Sequence, residues 1–386
     1  MKKLVELFIV PEFKKVHLTK DVGLVLYYLA KNYDLEAEIV FTNRVKEDIP
    51  NEFRGVKLVE LPYKKVNKLL NKLDKFKILE NFNFLKYLLK NAHKIDILVL
   101  FHFNKKKIPI VLLYKFLNKT GKIYLKMDIE VDTIKSKTQM NFFKKYYGKI
   151  LVKNIDIFSC ETREAYKLIL KNGFWQNDLS KKLIYIPNGV DEEEIKKISF
   201  EEKENIIITV GRLGTEQKNT EMLLESLRKI ELKEWKVLLI GPYSEEFEKK
   251  YIEFICENEE RRNKVILIGN VEDREKIYEF YRRAKCFILT SNYESFGIVL
   301  VEASRFGNYI ISTDVGAAKD ITKNGEIGEV LNIGDNEALY NEIKKVIEGK
   351  INLIDKFEKI TKYTEENFIW EKILKNRILK KILIED

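Results

Sequence analysis

Cys286-Phe-Ile-Leu-Thr-Ser-Asn-Tyr-Glu294-Ser-Phe-Gly-Ile-Val-Leu-Val-Glu302 is the stretch that decides the fold. An apolar, strand-like run from Cys286 to Thr290 gives way to a turn containing Gly297 and then to helix-forming residues. A strand that ends in such a turn and opens a helix belongs to an open α/β sheet, where ligands bind in the crevice beyond the carboxyl ends of the strands. Two carboxylates, Glu294 and Glu302, stand with seven residues between them. Eight positions are about two helical turns, so both acids are expected near one helix face. One can then meet one end of an extended ligand while the other meets its far end.

Outward from this stretch the same rhythm repeats. Short apolar, β-branched runs, Leu4 to Val10, Ala37 to Phe41, Val56 to Leu61, Ile95 to Phe103, Lys122 to Met127, Ile155 to Cys160 and Leu183 to Ile186, alternate with longer segments of helical period. After the charged stretch Asp191 to Asn205 the alternation resumes with Ile206 to Val210, Val237 to Ile240, Val265 to Ile268, Cys286 to Thr290, Tyr309 to Thr313 and Gly328 to Ile333. Strands spaced by helices predict parallel sheets built from βαβ units. A chain of 386 residues also exceeds what one hydrophobic core usually serves. The reading is α/β: two Rossmann-like, doubly wound parallel-sheet domains facing a cleft.

Composition narrows the function. No run of 18 uncharged apolar residues occurs, and Pro11 and Glu12 interrupt the first apolar run too early for a signal peptide. The three cysteines, Cys160, Cys256 and Cys286, lack CxxC spacing, which argues against a disulfide framework or structural zinc and fits a reducing, cytoplasmic setting. Charge is asymmetric. Residues 1–187 hold 37 Lys and Arg against 20 Asp and Glu, whereas residues 188–386 hold 33 against 40, giving +17 and −7. The basic half suits an anionic partner: an acidic membrane leaflet, a phosphate-bearing acceptor or a nucleic acid. A Lys-rich, Ile-rich composition alone does not explain the acidic second half. Within the basic half, Lys64 to Lys94 interleaves lysines with Leu69, Leu70, Leu73 and Phe76, the pattern of a basic amphipathic helix that either lies on an anionic bilayer or covers a sheet.

Two further motifs accompany the carboxylate pair. Val210-Gly-Arg-Leu-Gly-Thr-Glu-Gln-Lys-Asn219 follows a predicted strand, and its Arg212 fork and Lys218 point charge suit phosphate oxygens that the glycine turns let approach. Ile186-Pro-Asn-Gly-Val-Asp191 forms a turn near the middle of the chain. In order and separation, the three resemble the donor-binding segments of glycosyltransferase family 4, retaining enzymes of the GT-B fold with an EX7E motif, such as those of bacterial capsule and lipopolysaccharide synthesis. Each motif is weak singly; together they are specific.

The resemblance implies a hexosyltransferase that moves sugar from a UDP- or GDP-sugar to a glycan or lipid-linked saccharide. It implies an acceptor-binding domain over 1–187, a nucleotide-sugar domain over 188–364, and a C-terminal helix over 365–386 crossing back to the first domain. Glu294 would bind the donor sugar and Glu302 the ribose, while Arg212, Lys218, Ser295, Phe296, Gly297 and Leu300 would hold the diphosphate, the last residues by helix-terminal amides. Gly23 stands where many members carry a double-glycine loop, and is expected to approach the second phosphate. Asp21 beside it either caps the following helix or faces the acceptor. His102, at the end of a strand, resembles the histidine that touches the donor sugar, and Asp128, ending the next strand, is placed for a sugar or acceptor hydroxyl. No Asp-x-Asp or His-rich signature appears, so chemistry without metal or other cofactor is expected, with Arg212 and Lys218 supplying the positive charge. Location at the inner face of the cytoplasmic membrane follows as an expectation. The competing readings are a nucleotide-sugar hydrolase or epimerase that needs no acceptor, and a nucleic-acid binder; the four donor-site residues count against the latter, and no nucleic acid partner is expected.

Overall fold

The computed structural model describes residues 1–10, 12–63, 74, 77–137, 142–171, 177–192 and 198–384. Residues 64–73, 75 and 76 of the basic amphipathic stretch, including Lys64, Lys65, Lys68, Lys72 and Lys75, lie outside the described residues. The chain divides into two compact units, Met1–Asp191 together with Trp370–Asp386, and Glu192–Ile369.

The first unit is built on eight strands: β1 (Lys3–Phe8), β2 (Glu36–Thr42), β3 (Glu52–Phe53), β4 (Val56–Leu61), β5 (Ile97–Phe101), β6 (Lys122–Lys126), β7 (Ile157–Cys160) and β8 (Leu183–Tyr185). Their order is β3-β4-β2-β1-β5-β6-β7-β8. Every pairing is parallel except β3 with β4, a short hairpin that the apolar pattern did not signal. The strands are covered on both faces, which is why they read as apolar runs rather than as alternation. Val5 and Leu7 of β1 face one core, and Leu4 and Phe8 face the other. The second unit carries six parallel strands, β9 (Glu204–Val210), β10 (Lys236–Ile240), β11 (Val265–Gly269), β12 (Ala284–Leu289), β13 (Tyr309–Thr313) and β14 (Glu329–Leu331), in the order β11-β10-β9-β12-β13-β14. This is the doubly wound order, reversing between its first and fourth strands. The first sheet reverses likewise, between β1 and β5.

The chain end departs from the expected single helix. A helix over Leu353–Asn367 stops at Phe368, and two short helices, Trp370–Leu374 and Arg377–Leu379, follow. The break serves burial: Phe368, Ile369 and Trp370 are all sequestered, which one straight helix face cannot achieve for three consecutive residues. From Trp370 on, the chain packs on the first unit, where the Tyr33 hydroxyl donates to the carbonyl of Leu374 at 2.7 Å and Lys31 pairs with Glu371 at 3.3 Å. Among the described residues, no helix is long and apolar enough to cross a membrane.

One buried group stands apart. Glu6, between Leu4 and Phe8 in β1, is fully buried, and neither carboxylate oxygen has a hydrogen-bond partner among the described residues. Burial first, then the nearby charge of Asp21, push its pKa well above the ordinary 4.5, and Lys107 offsets only part of this. The native state therefore holds a proton that the unfolded chain releases, so stability falls as pH rises past 4.5 toward the folded value. Glu6→Met removes that dependence. Its stability should exceed that of the wild type by a margin that widens as pH rises above 4.5; parallel stability profiles would show that Glu6 is not held protonated.

Candidate functional site

In the second unit the reversal between β9 and β12 leaves two loops at the carboxyl edge of the sheet, 211–219 after β9 and 290–297 after β12. Backbone and side-chain bonds stitch them together. The amide of Asn292 donates to the Gln217 carbonyl at 2.8 Å, its side chain donates to the Glu216 carbonyl at 2.7 Å, and the Thr290 hydroxyl donates to the Lys218 carbonyl at 3.0 Å. Across this seam Lys218 Nζ meets Glu294 Oε1 in an ion pair with little exposure on either side. Ser291 Oγ donates to the same Glu294 oxygen at 2.7 Å, and Gln217 Nε2 reaches Oε2 at 3.4 Å. Arg212 is exposed and donates to Gln217 Oε1 at 2.5 Å. Lys218, Glu294 and, through Gln217, Arg212 are thus brought together by residues 76 apart in the chain.

Helix geometry corrects two expectations. The helix covers Ile298–Arg305, so Glu294 belongs to the preceding loop and does not share a helix face with Glu302. Gly297 caps it with φ +83°, a left-handed conformation that separates loop from helix. Leu300 is fully buried and its amide already donates to the Gly297 carbonyl at 2.9 Å, so it presents no helix-terminal N–H. The first-turn amides of Ile298 and Val299 fall among those that no intrahelical carbonyl accepts. Phe296 is buried, its carbonyl held by the amide of Ala317 at 2.8 Å, and Ser295 is half-buried in the turn.

Glu302 is nearly buried and engaged elsewhere than Glu294. Its Oε1 accepts from Arg274 Nη2 at 3.2 Å, and Oε2 accepts from the Tyr281 hydroxyl at 3.3 Å. Burial and then the Glu302 charge push the Tyr281 phenol well above its ordinary pKa, so it remains a donor.

The first unit gathers a second group at the carboxyl edge of its sheet. His102, directly after β5, places Nδ1 3.4 Å from Asp128 Oδ2, directly beyond β6. Asp21 does not cap its helix: it is the first residue of Asp21–Tyr33, whose cap is Lys20, and its Oδ2 lies 3.3 Å from Lys126 Nζ. Gly23 lies inside that helix, buried against the backbone of Leu18, and a Cβ there would lie 2.2 Å from the Leu18 carbonyl oxygen. Its lack of a side chain is thus required by packing within the unit.

A phosphate-type Gly-Arg loop and a paired lysine and glutamate at the switch point of a doubly wound sheet lie within residues 190–367, which match the glycosyl transferases group 1 family. The capsular polysaccharide biosynthesis glycosyltransferase CapM of Staphylococcus aureus is 28% identical over 246 residues, covering 58% of this chain and 60% of that protein. An uncharacterized glycosyltransferase of Methanocaldococcus jannaschii is 26% identical over 406 residues, covering 97% of this chain and 86% of its own. The chain spans less than two thirds of the length of the first curated relatives it matches. Among solved structures, Anabaena HepE in complex with UDP and glucose superposes with a TM-score of 0.70 at 15% identity over 99% of each chain. At that identity the likeness is one of fold, the GT-B fold of two Rossmann-like domains.

Several site neighbours had no motif to announce them. Gln217 and Ser291 lie within or beside the quoted segments, but their carboxylate partner is a property of the folded loops. Arg274 comes from a separate helix, Arg274–Arg283, and carries no sequence signal. Lys126 and Glu161 did carry one, as charges at the ends of otherwise apolar strands. The Glu294 loop also leans on Gly316, with φ +52°, where a Cβ would lie 2.4 Å from the Phe296 carbonyl oxygen and 3.0 Å from Glu294 Cβ. Gly316→Ala should lower stability by at least about 1 kcal/mol in urea unfolding, through left-handed strain and this collision; an unchanged midpoint would mean that the turn accommodates a side chain.

Proposed function

We propose that this protein transfers a hexose from a nucleoside diphosphate sugar, UDP- or GDP-linked, to a glycan or lipid-linked saccharide in cell-surface polysaccharide synthesis, with retention of anomeric configuration. The observation that carries the reading is the Lys218–Glu294 pair at the switch point of the second sheet, inside the segment that matches the glycosyl transferases group 1 family. Lys218 and Arg212 would neutralise the departing diphosphate, helped by the first amides of helix Ile298–Arg305, and preorganised positive charge at a leaving group is the largest lever on such a transfer. Glu294 would accept hydroxyls of the donor sugar. Glu302 would accept those of the ribose, sharing its carboxylate with Arg274. From the first unit, His102 would meet the donor sugar and Asp128 a sugar or acceptor hydroxyl. In the transfer, the acceptor oxygen bonds to the anomeric carbon as the bond from that carbon to the diphosphate breaks, and the acceptor proton passes to the leaving phosphate oxygen on the same face. CapM, named for capsular polysaccharide biosynthesis, and HepE, solved with UDP and glucose, support the substrate class.

Lys218 gives the direct test. A ligand that binds only the native state raises its apparent stability, so the UDP- or GDP-sugar that serves as donor should raise the melting temperature of the wild type and leave Lys218→Ala unmoved. An equal shift in both proteins would take Lys218 out of the phosphate site.

The acceptor side also points to an anionic bilayer surface. Helices Phe82–Asn91 and Ile108–Leu117 pack together, and they expose Phe82, Leu89, Leu112 and Phe116 among the exposed lysines Lys86, Lys90 and Lys119. Apolar side chains ringed by cations suit an acidic leaflet, where each lysine adds about 1 kcal/mol. Vesicles containing phosphatidylserine should capture the protein at low salt and release it as the charges are screened. Equal capture by neutral phosphatidylcholine vesicles would dismiss the electrostatic part.

A further inference from the structure

Lys126 ends β6, in a run that is otherwise apolar, and its side chain is wholly buried. A buried ammonium is retained only where carboxylates compensate it. Its Nζ lies 3.1 Å from Glu161 Oε1 and 3.3 Å from Asp21 Oδ2. Burial alone would lower its pKa, but Glu161, Asp21 and Asp128 together outweigh that, so the group stays charged.

The two loop residues His102 and Asp128 are attached to this lysine by separate routes. The oxygen that Lys126 grips, Glu161 Oε1, also accepts the backbone N–H of Asp128 at 3.0 Å. The carbonyl of Lys126 accepts the backbone N–H of His102 at 2.8 Å. Both loop residues adopt left-handed backbone conformations, His102 with φ 63° and Asp128 with φ 42°. Residues other than glycine keep such conformations only where the surroundings hold them. What these two conformations achieve is the approach of His102 Nδ1 to Asp128 Oδ2.

We propose that Lys126 is a positioning residue: through its carbonyl and through the shared Glu161 oxygen it clamps His102 and Asp128 in the conformations that bring their side chains together. The clamp gains its functional meaning from the sugar and acceptor roles proposed above for that pair, but its existence does not depend on turnover.

A cycle of His102 titrations tests it. The imidazole pKa is lowered by burial, raised by Asp128 and Asp21, and lowered by Lys107 and Lys126. Ring resonances followed by NMR across pH, with His17 and His93 as references in the same molecule, give the pKa in the wild type, Asp128→Asn, Lys126→Met and the double variant. With Lys126 in place, Asp128→Asn should lower the His102 pKa by about half a unit or more, since it removes a neighbouring negative charge. With Lys126→Met the same substitution should change it by nearly nothing, because the pair has come apart. A lysine acting only by its own field, or only on stability, moves the His102 pKa equally in both backgrounds and leaves the Asp128 decrement intact; that outcome, or no decrement in either background, overturns the proposal. Should Lys126→Met fail to fold, Lys126→Met with Glu161→Leu removes one charge of each sign and carries the same comparison. The functional reading is judged separately. If Asp128→Asn keeps full release of nucleoside diphosphate from whichever UDP- or GDP-sugar stabilises the protein, the acceptor role falls while the clamp stands.

Discussion

Right-handed crossovers force the sites of this protein into place. In a parallel sheet whose strand order reverses, the connections on either side of the reversal pass to opposite faces, and the carboxyl ends of two adjacent strands are left without a covering helix. Both sheets obey this constraint, at β1 and β5 in the first unit and at β9 and β12 in the second. Every polar group argued to act stands at or near such an edge, while the strands behind it are apolar on both faces and fix the edge rigidly.

The two edges use charge differently. In the second unit Lys218 and Glu294 form a single pair near the surface of two loops, bonded to Ser291 and Gln217, so each retains sites for a ligand. A diphosphate can take over the lysine and a sugar hydroxyl the carboxylate without leaving an uncompensated buried charge. In the first unit the compensation is internal and dry. Lys126 lies among Asp21, Glu161 and the field of Asp128, and removal of any one partner strands the others. Such an arrangement adds little net stability, but it fixes which backbone atoms may lie where. Adaptable charge therefore sits where the charged donor is proposed to bind, and fixed charge beside the pair proposed to meet hydroxyls.

Glu302 shows why spacing alone is a weak guide to geometry. The seven-residue interval suggested two acids on one helix face, yet the left-handed Gly297 cap places only Glu302 on the helix. The helix pairs Glu302 with Arg274, whereas Glu294 answers to the β9 loop. Leu300 likewise lies in the right segment, but its amide closes the first turn.

The apolar period of the strands, the Gly-Arg-Leu-Gly turn and the Glu-Ser-Phe-Gly turn were legible in the sequence, because each depends on residues close together in the chain. From them followed parallel sheets, their approximate strands, and the expectation that Arg212, Lys218 and Glu294 meet one ligand. Position in space across 76 residues, and the identity of each partner, waited on the tertiary structure. So did the break at Phe368, where three consecutive residues had to be buried, and the use of Gly23 for packing on Leu18. Local propensity reads only the backbone dihedrals and the buried face of each segment. Which charge compensates which is settled when desolvation makes every unpaired one costly, and that is a property of the assembled core.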